Sequence, residues 1–262
     1  DPRGVQRSAA ITCVGDAELD DLLGADPSPD NAAEQKELLA ADKSFADACK
    51  KNAGPLLGHV STEEAAKDMD VLRAALGEDK LDYLGKSYGT FLGASYAEQF
   101  PKKVGRMVLD GVLPPDLTMA ELNAGQAKGF ETALDAYLAS CTKESDCPLG
   151  SEPAAGKKKL QEFLAGLDDK TVRAEGDSRI DRLTEGWAVN GIAAGLYDEA
   201  SWPGLTDALR GAMNGDGTLL LASGKQYAER NDDGTYNGNI MQVINAVTCL
   251  DRPAPTGGVA TY

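Results

Sequence analysis

The residues best suited to chemistry form the segment Gly85-Lys86-Ser87-Tyr88-Gly89, which has the pattern G-x-S-x-G. In this pattern, the nucleophile elbow, a serine occupies a sharp turn between a strand and a helix, and the two glycines let the backbones approach. The turn raises the hydroxyl above the sheet and directs the next backbone N–H toward the oxygen that gains charge during attack. We therefore predict that Ser87 is a nucleophile and that the Tyr88 N–H is one oxyanion donor. The alternative is a buried serine in an ordinary tight turn.

A serine nucleophile needs a base, and the sequence offers no suitable histidine. The only histidine is His59, which precedes Ser87, whereas this arrangement requires the order serine, acid, histidine. We expect His59 to be a solvent-facing or hydrogen-bonded loop residue. Asp110 could orient a histidine, but we interpret it as a partner of loop amides. Because the hydroxyl stays protonated without a base, the chain by itself is expected to be inactive.

The segments on both sides of Ser87 have the patterns of the strand and helix that such a turn joins. Lys80-Leu-Asp-Tyr-Leu-Gly85 alternates in part, as a short strand does. Thr90 to Phe100 is helical in composition until Pro101 prevents continuation. Val104-Gly-Arg-Met-Val-Leu109 is a second short apolar strand. Strands alternating with helices in this way predict part of a parallel α/β sheet.

A further helix is predicted before the first strand. Ser61-Thr-Glu-Glu64 has the form of a capping box, in which the first side chain accepts a backbone proton and the fourth reaches back. An apolar face follows at helical spacing, and the helix is expected to stop at Gly77. That face consists of Ala65, Met69, Leu72 and Leu76.

The remainder of the chain divides by composition. Residues 15–30 are rich in Gly, Pro and Asp and predict a loop, and residues 31–52 predict a helix. Residues 117–226 contain helices with no obvious strand, which indicates an inserted helical lid. We therefore assign 1–116 to a partial α/β core, 117–226 to the lid and 227–262 to a return toward the core. A helical stripe in the lid is interpreted as core packing; it consists of Trp202, Leu205, Leu209 and Met213.

Charge and hydropathy exclude several classes of partner. The chain has 42 acidic and 26 basic residues and a net charge of −16, which repels phosphate backbones and anionic lipids. Nucleic acid is therefore not an expected partner. No run approaches the ~18 apolar residues of a membrane span, so we expect a soluble chain. The acidic excess favours solubility; the alternative is that some carboxylates bind a cationic group, such as a peptide amino terminus.

The cysteines predict disulfides rather than a metal site. None stands in a zinc-ligand pattern, so no metal is expected. Cys141 and Cys147 enclose a short polar loop, and Cys13 could pair with Cys49, which leaves Cys249 without a mate. The alternative is reduced thiols in an intracellular protein. The absence of an initiator methionine and a signal segment favours an internal start, so we expect a piece of a longer protein.

The chain resembles the secreted tripeptidyl aminopeptidases of actinobacteria, in the prolyl-iminopeptidase-like branch of the α/β-hydrolases. The resemblance spans nearly the whole chain, and the elbow together with the Val-Leu-Asp-Gly strand is its most specific part. The matching segments are Asp1-Pro-Arg-Gly4 with Ser8, Gly85-Lys-Ser-Tyr-Gly-Thr90, Tyr96-Ala97, Phe100-Pro101, Val108-Leu-Asp-Gly111, Tyr197, Trp202, Tyr227-Ala-Glu-Arg230 and Ala246-Val-Thr-Cys-Leu-Asp251.

The resemblance implies a partial α/β-hydrolase fold with a helical lid, and release of short peptides from free amino termini through an acyl-enzyme on Ser87. It also implies secretion, a peptide substrate and no cofactor. Family members have a glycine-rich oxyanion segment before Asp1-Pro-Arg-Gly4, and the triad acid and histidine after the Cys249 region; both are missing here. The missing tail would supply a mate for Cys249.

Amino-terminus specificity would require carboxylates facing the ammonium group. Glu185, Asp198 and Glu199 are candidates by position, but we interpret each as a solvated surface charge. Two other functions fit the sequence: an esterase or other acyl hydrolase on the same scaffold, and a non-catalytic ligand-binding protein of the same fold. The sequence does not predict the oligomeric state.

Overall fold

A computed structural model describes residues 1–176 and 179–253, and the chain divides into two compact units. The first contains residues 1–13, 49–125 and 239–253, and the second contains residues 14–48, 126–176 and 179–238. In chain order the helices and strands are α1 (Asp16–Gly24), α2 (Ala32–Asn52), α3 (Thr62–Ala75), β1 (Leu81–Lys86), α4 (Tyr88–Gln99), β2 (Val104–Asp110), α5 (Met119–Cys141), α6 (Pro153–Asp169), β3 (Val172–Arg173), β4 (Arg182–Leu183), α7 (Glu185–Leu196), α8 (Trp202–Met213), α9 (Thr218–Tyr227) and α10 (Ile240–Asp251).

The first unit contains a parallel pair of strands with α4 as its connection. β1 and β2 are paired in parallel, with Leu84 opposite Val108 and Lys86 opposite Asp110. A Cβ atom at Gly93 of α4 would lie 2.6 Å from a ring carbon of Tyr83, so a glycine is needed for this close packing of helix on strand. The predicted α/β architecture is confirmed.

Helix α3 begins and ends as its sequence predicts. Ser61 is its N-cap, and the Ser61 hydroxyl accepts a hydrogen bond from the Glu64 N–H. The chain leaves the helix through Gly77, whose φ of +75° is readily adopted only by glycine. The predicted apolar face is only partly covered, because Leu72 and Leu76 are exposed within the described part of the chain.

The expectation of a loop over residues 15–30 is wrong in its first half, because α1 occupies Asp16–Gly24. The Glu18 carboxylate accepts a hydrogen bond from the Gly15 N–H and so stabilises the start of the helix. Leu19 is 1% exposed. The Gly, Pro and Asp content concealed a short amphipathic helix.

The second unit is built on close contacts between helices. A Cβ atom at Gly191 of α7 would lie 2.4 Å from the Leu220 carbonyl oxygen, and one at Gly224 of α9 would lie 2.6 Å from the Trp187 carbonyl oxygen. In α8, Leu205 and Leu209 are buried. The predicted lid stripe is therefore core packing.

The expectation of no strand over residues 117–226 is also wrong. β3 and β4 form an antiparallel pair in which Val172 lies opposite Leu183 and Arg173 lies opposite Arg182. Each strand has two residues, too few for an alternating pattern to be visible in the sequence.

The two units have boundaries that differ from the divisions at 116 and 226. Residues 14–48, which the sequence assigned to the α/β core, group with the helical unit. The physical reason is a buried ion pair, because Asp20 of α1 binds Arg230, which follows α9. Residues 239–253 belong to the first unit.

Both predicted disulfides are present. Cys13 is bonded to Cys49, and Cys141 is bonded to Cys147. Cys249 is an exposed free thiol. Among the described residues, every helix is too short or too polar to cross a lipid bilayer.

Candidate active site

The backbone turns sharply at Ser87. β1 ends at Lys86 and α4 begins at Tyr88, so Ser87 is the single residue between them. Its φ of 51° and ψ of −121° lie in a region that residues other than glycine rarely occupy. The Ser87 side chain is exposed. The structure therefore places this hydroxyl on a strained bend between strand and helix.

Hydrogen bonds on both sides hold the bend in place. The Ser87 N–H donates to the Asp110 carbonyl oxygen at 3.0 Å, extending the pairing of β1 with β2. The Ser87 carbonyl oxygen accepts from the Thr90 N–H at 2.9 Å and from the Thr90 hydroxyl at 2.7 Å. Thr90 is 1% exposed, and its Oγ1 accepts from the Leu113 N–H. A strained residue persists when its surroundings fix it in this way.

The first glycine of the motif allows a close backbone approach. A Cβ atom at Gly85 would lie 2.4 Å from the Gly89 carbonyl oxygen. Because this oxygen belongs to the backbone, no change of side-chain rotamer can relieve the clash. That carbonyl oxygen also accepts a hydrogen bond from the Tyr83 hydroxyl at 2.6 Å. Gly85 is therefore required by the shape of the elbow.

The backbone N–H and the side-chain hydroxyl of Tyr88 have different surroundings. Tyr88 is the first residue of α4, so its N–H has no acceptor within the helix. Its side-chain hydroxyl forms a hydrogen bond with Thr62 Oγ1. Thr62 gives its own hydroxyl proton to Asp251 Oδ2 at 2.6 Å, so Tyr88 is the donor in the first bond. Burial of the hydroxyl raises the pKa of Tyr88.

Thr62 and Asp251 form a link to the elbow that sequence reasoning missed. The Thr62 N–H also donates to Asp251 Oδ1 at 2.7 Å, and burial raises the pKa of the Asp251 carboxyl, against the effect of these bonds. In the sequence, Asp251 is only the last residue of the segment Ala246-Val-Thr-Cys-Leu-Asp251. Its distance along the chain from Thr62 left no local signal of contact.

The two other residues considered for the triad lie in different surroundings. The His59 side chain is exposed, and its carbonyl oxygen accepts from Arg3. Asp110 is exposed, and its carbonyl oxygen accepts a hydrogen bond from the Ser87 N–H. Within the described residues, the structure assigns neither side chain a hydrogen bond with Ser87. His59 faces solvent, as the sequence predicts, but it is the last residue of a short 3-10 helix (Gly54–His59) and not a loop residue.

A separate acidic cluster lies in the second unit. The side chains of Asp26, Asp168 and Glu185 each offer an oxygen, and these oxygens lie within 4.8 Å of one another. Glu185 is 6% exposed, and burial raises its pKa to about 7. The interpretation of Glu185 as a solvated charge is therefore wrong, because packing at the start of α7 encloses it. Of the other two candidates, Asp198 and Glu199 are exposed.

Comparisons with known proteins agree with this geometry. A family model described as alpha/beta hydrolase fold matches residues 1–194. The chain is 39% identical over 263 residues to serine protease Hip1 of Mycobacterium tuberculosis, which covers 98% of this chain and 50% of that protein. It is 44% identical over 133 residues to tripeptidyl aminopeptidase of Streptomyces lividans, which covers 50% of this chain and 25% of that protein.

A third relative is named as an esterase. The chain is 36% identical over 267 residues to carboxylesterase B of Mycobacterium tuberculosis, covering 99% of this chain and 50% of that protein. The chain thus spans about half the length of Hip1 and of this esterase. Because the family model covers most of the chain and the strand, bend and helix around Ser87 agree with it, the chain belongs to the α/β-hydrolase fold family.

Proposed function

We propose that this chain supplies the nucleophile and one oxyanion donor of a serine hydrolase that acts on peptides. The observation that supports this most strongly is the strained bend at Ser87 between β1 and α4. Strain of this kind is concentrated at functional sites, where it fixes a reactive group in position.

The proposed reaction is acyl transfer to water. Ser87 Oγ attacks the substrate carbonyl carbon while a base takes its proton, and the oxygen that becomes negative accepts a hydrogen bond from the Tyr88 N–H. Collapse of the intermediate releases the amine or alcohol with that proton and leaves an ester on Ser87. Water then hydrolyses this ester.

The base is proposed to be a histidine outside the 262 residues. The only histidine of the sequence is His59, and the described contacts give it no hydrogen bond with Ser87. The chain spans about half the length of Hip1, which is consistent with residues that complete the site lying elsewhere in a longer protein.

Peptides with a free amino terminus are the proposed substrates, released as short peptides. The names of two relatives, a serine protease and a tripeptidyl aminopeptidase, support this choice. Esters are the second candidate, because another relative is named carboxylesterase B. We further propose a location outside the cytoplasm, since two disulfides persist best in an oxidising compartment.

The experiment uses the protein expressed from the complete reading frame that encodes this sequence, beside its Ser87→Ala variant. Turnover is measured on a peptide with a free amino terminus, its N-acetylated analogue and a p-nitrophenyl ester. Turnover of the free peptide alone, lost in Ser87→Ala, is the expected result. Turnover of only the ester would favour the esterase. Equal rates for both proteins would refute the role of Ser87 and favour a non-catalytic binding protein.

A further inference from the structure

The acidic cluster of the second unit has no positive partner in the described part of the chain. Asp26 follows α1, Asp168 lies at the end of α6 and Glu185 begins α7, so three separate segments bring carboxylates together. No described lysine or arginine forms an ion pair with any of the three. Because like charges at this separation repel, ionised carboxylates can share the site only if a cation or protons neutralise them.

Two oxygens of the cluster are buried and lack hydrogen bonds. They are Glu185 Oε2 and Asp26 Oδ2. The other oxygen of Glu185 accepts from the Ser28 hydroxyl at 2.6 Å, which fixes the carboxylate and leaves Oε2 without a donor. Burial of a polar atom without a partner is unfavourable, so these two oxygens are available to a positively charged ligand.

We propose that Asp26, Asp168 and Glu185 form a binding site for a divalent cation, and that the cation is Ca²⁺. The donors are all carboxylate oxygens, which hard cations prefer, and the cluster has no histidine or cysteine that would favour zinc. Three carboxylates, each able to bind through one or two oxygens, suit the variable coordination of Ca²⁺ better than the strict octahedron of Mg²⁺.

The cation would have a structural role. It would join the segment after α1, the end of α6 and the start of α7. An affinity in the range of extracellular calcium modules, about 10⁻⁴ to 10⁻³ M, is expected, since Asp168 is exposed to solvent.

The test compares the melting temperature of the full chain in EDTA and in Ca²⁺, for the unaltered protein, Glu185→Gln and Asp168→Asn. Ca²⁺ should raise the melting temperature of the unaltered protein and leave both variants unchanged. In EDTA both variants should melt higher than the unaltered protein, because each removes a repelling charge. Glu199→Gln, an exposed acid of the same unit, should keep the full response to Ca²⁺.

A second readout keeps the proposal testable if Glu185→Gln folds poorly. Tb³⁺, a luminescent substitute for Ca²⁺, should bind the unaltered chain with emission sensitised by Trp187, two residues from Glu185, and Ca²⁺ should displace it. Asp168→Asn, at an exposed position, should abolish that emission. The proposal would be overturned by an unchanged melting temperature in Ca²⁺, by full Tb³⁺ binding in Asp168→Asn, or by a response to a peptide amine but not to Ca²⁺.

Discussion

Ser87 shows how a single residue can be fixed in a costly conformation by its neighbours. Its positive φ is held by the Asp110 carbonyl oxygen on one side and by Thr90 on the other. The motif alone predicted the bend, and its first glycine is required because a Cβ at Gly85 would collide with the Gly89 carbonyl oxygen. It did not predict Thr62 and Asp251, whose contact with Tyr88 depends on the packing of distant segments.

Replacing Gly85 with alanine tests the shape of the elbow. The new methyl group would meet the Gly89 carbonyl oxygen at 2.4 Å, and we expect a loss of about 1–3 kcal/mol in the free energy of unfolding, as for other overpacked sites. Urea denaturation followed by circular dichroism measures it. Gly58→Ala is the matched control, because a Cβ at Gly58 would meet nothing within 4 Å. Equal stability of the two variants would contradict the close approach.

Replacing Thr62 with valine tests the link between the elbow and α10. Valine keeps the shape but removes the hydroxyl that joins Tyr88 to Asp251, and Thr62 is 1% exposed. A loss of about 1–3 kcal/mol in unfolding free energy is expected. Thr62→Ser retains the hydroxyl and should recover most of that loss in the same denaturation experiment. A serine variant as unstable as the valine variant would assign the effect to packing instead.

Among the helices and strands, those with a pattern in neighbouring residues were predicted, and those that depend on contacts with distant residues were not. The capping residues of α3 and the alternation of β1 and β2 can be read from neighbouring positions. The membership of α1 in the second unit cannot be read from neighbouring positions, because it depends on an ion pair between Asp20 and Arg230, which lie 210 positions apart. The two-residue strands β3 and β4 are similarly defined by their pairing and not by a pattern.

The ion pair that holds α1 can be tested by Asp20→Asn. Asp20 accepts from Arg230 at 2.5 and 2.9 Å and also pairs with Arg179, and the Arg230 side chain is 0% exposed. Loss of the carboxylate leaves a buried positive charge, so we expect destabilisation of about 3–5 kcal/mol in thermal or urea unfolding. Asp47→Asn breaks the exposed pair with Lys43 and should change stability by less than about 1 kcal/mol. Similar losses in both variants would disprove the importance of burial.

At the scale of the whole molecule, a strongly acidic chain carries uncovered apolar surface. Its net charge is −16, yet several large apolar side chains of α3, its C-cap residue, β1 and β2 are more than half exposed. They are Val71 at 69%, Leu72 at 59%, Leu76 at 69%, Leu84 at 63% and Val108 at 58%. Within the described residues β1 pairs only with β2, so the outer sides of both strands can bind further chain.

Because of this surface, the isolated chain is expected to self-associate and to bind a hydrophobic dye. The double variant Val71→Lys, Leu76→Lys should reduce both effects without loss of helix, since both side chains are exposed. Sedimentation velocity and dye fluorescence measure them. Unaltered chain that sediments as a monodisperse monomer, with a highly stable cooperative thermal transition, would contradict this expectation.

The role of Ser87 can be measured most directly by locating a fluorophosphonate adduct by mass spectrometry. In the protein from the complete reading frame we expect the label on Ser87, formed rapidly and abolished in Ser87→Ala. In the 262-residue chain alone we expect labelling no faster than in Ser87→Ala, because the base is absent. Rapid labelling of a residue other than Ser87, or of the isolated chain, would contradict the assignment.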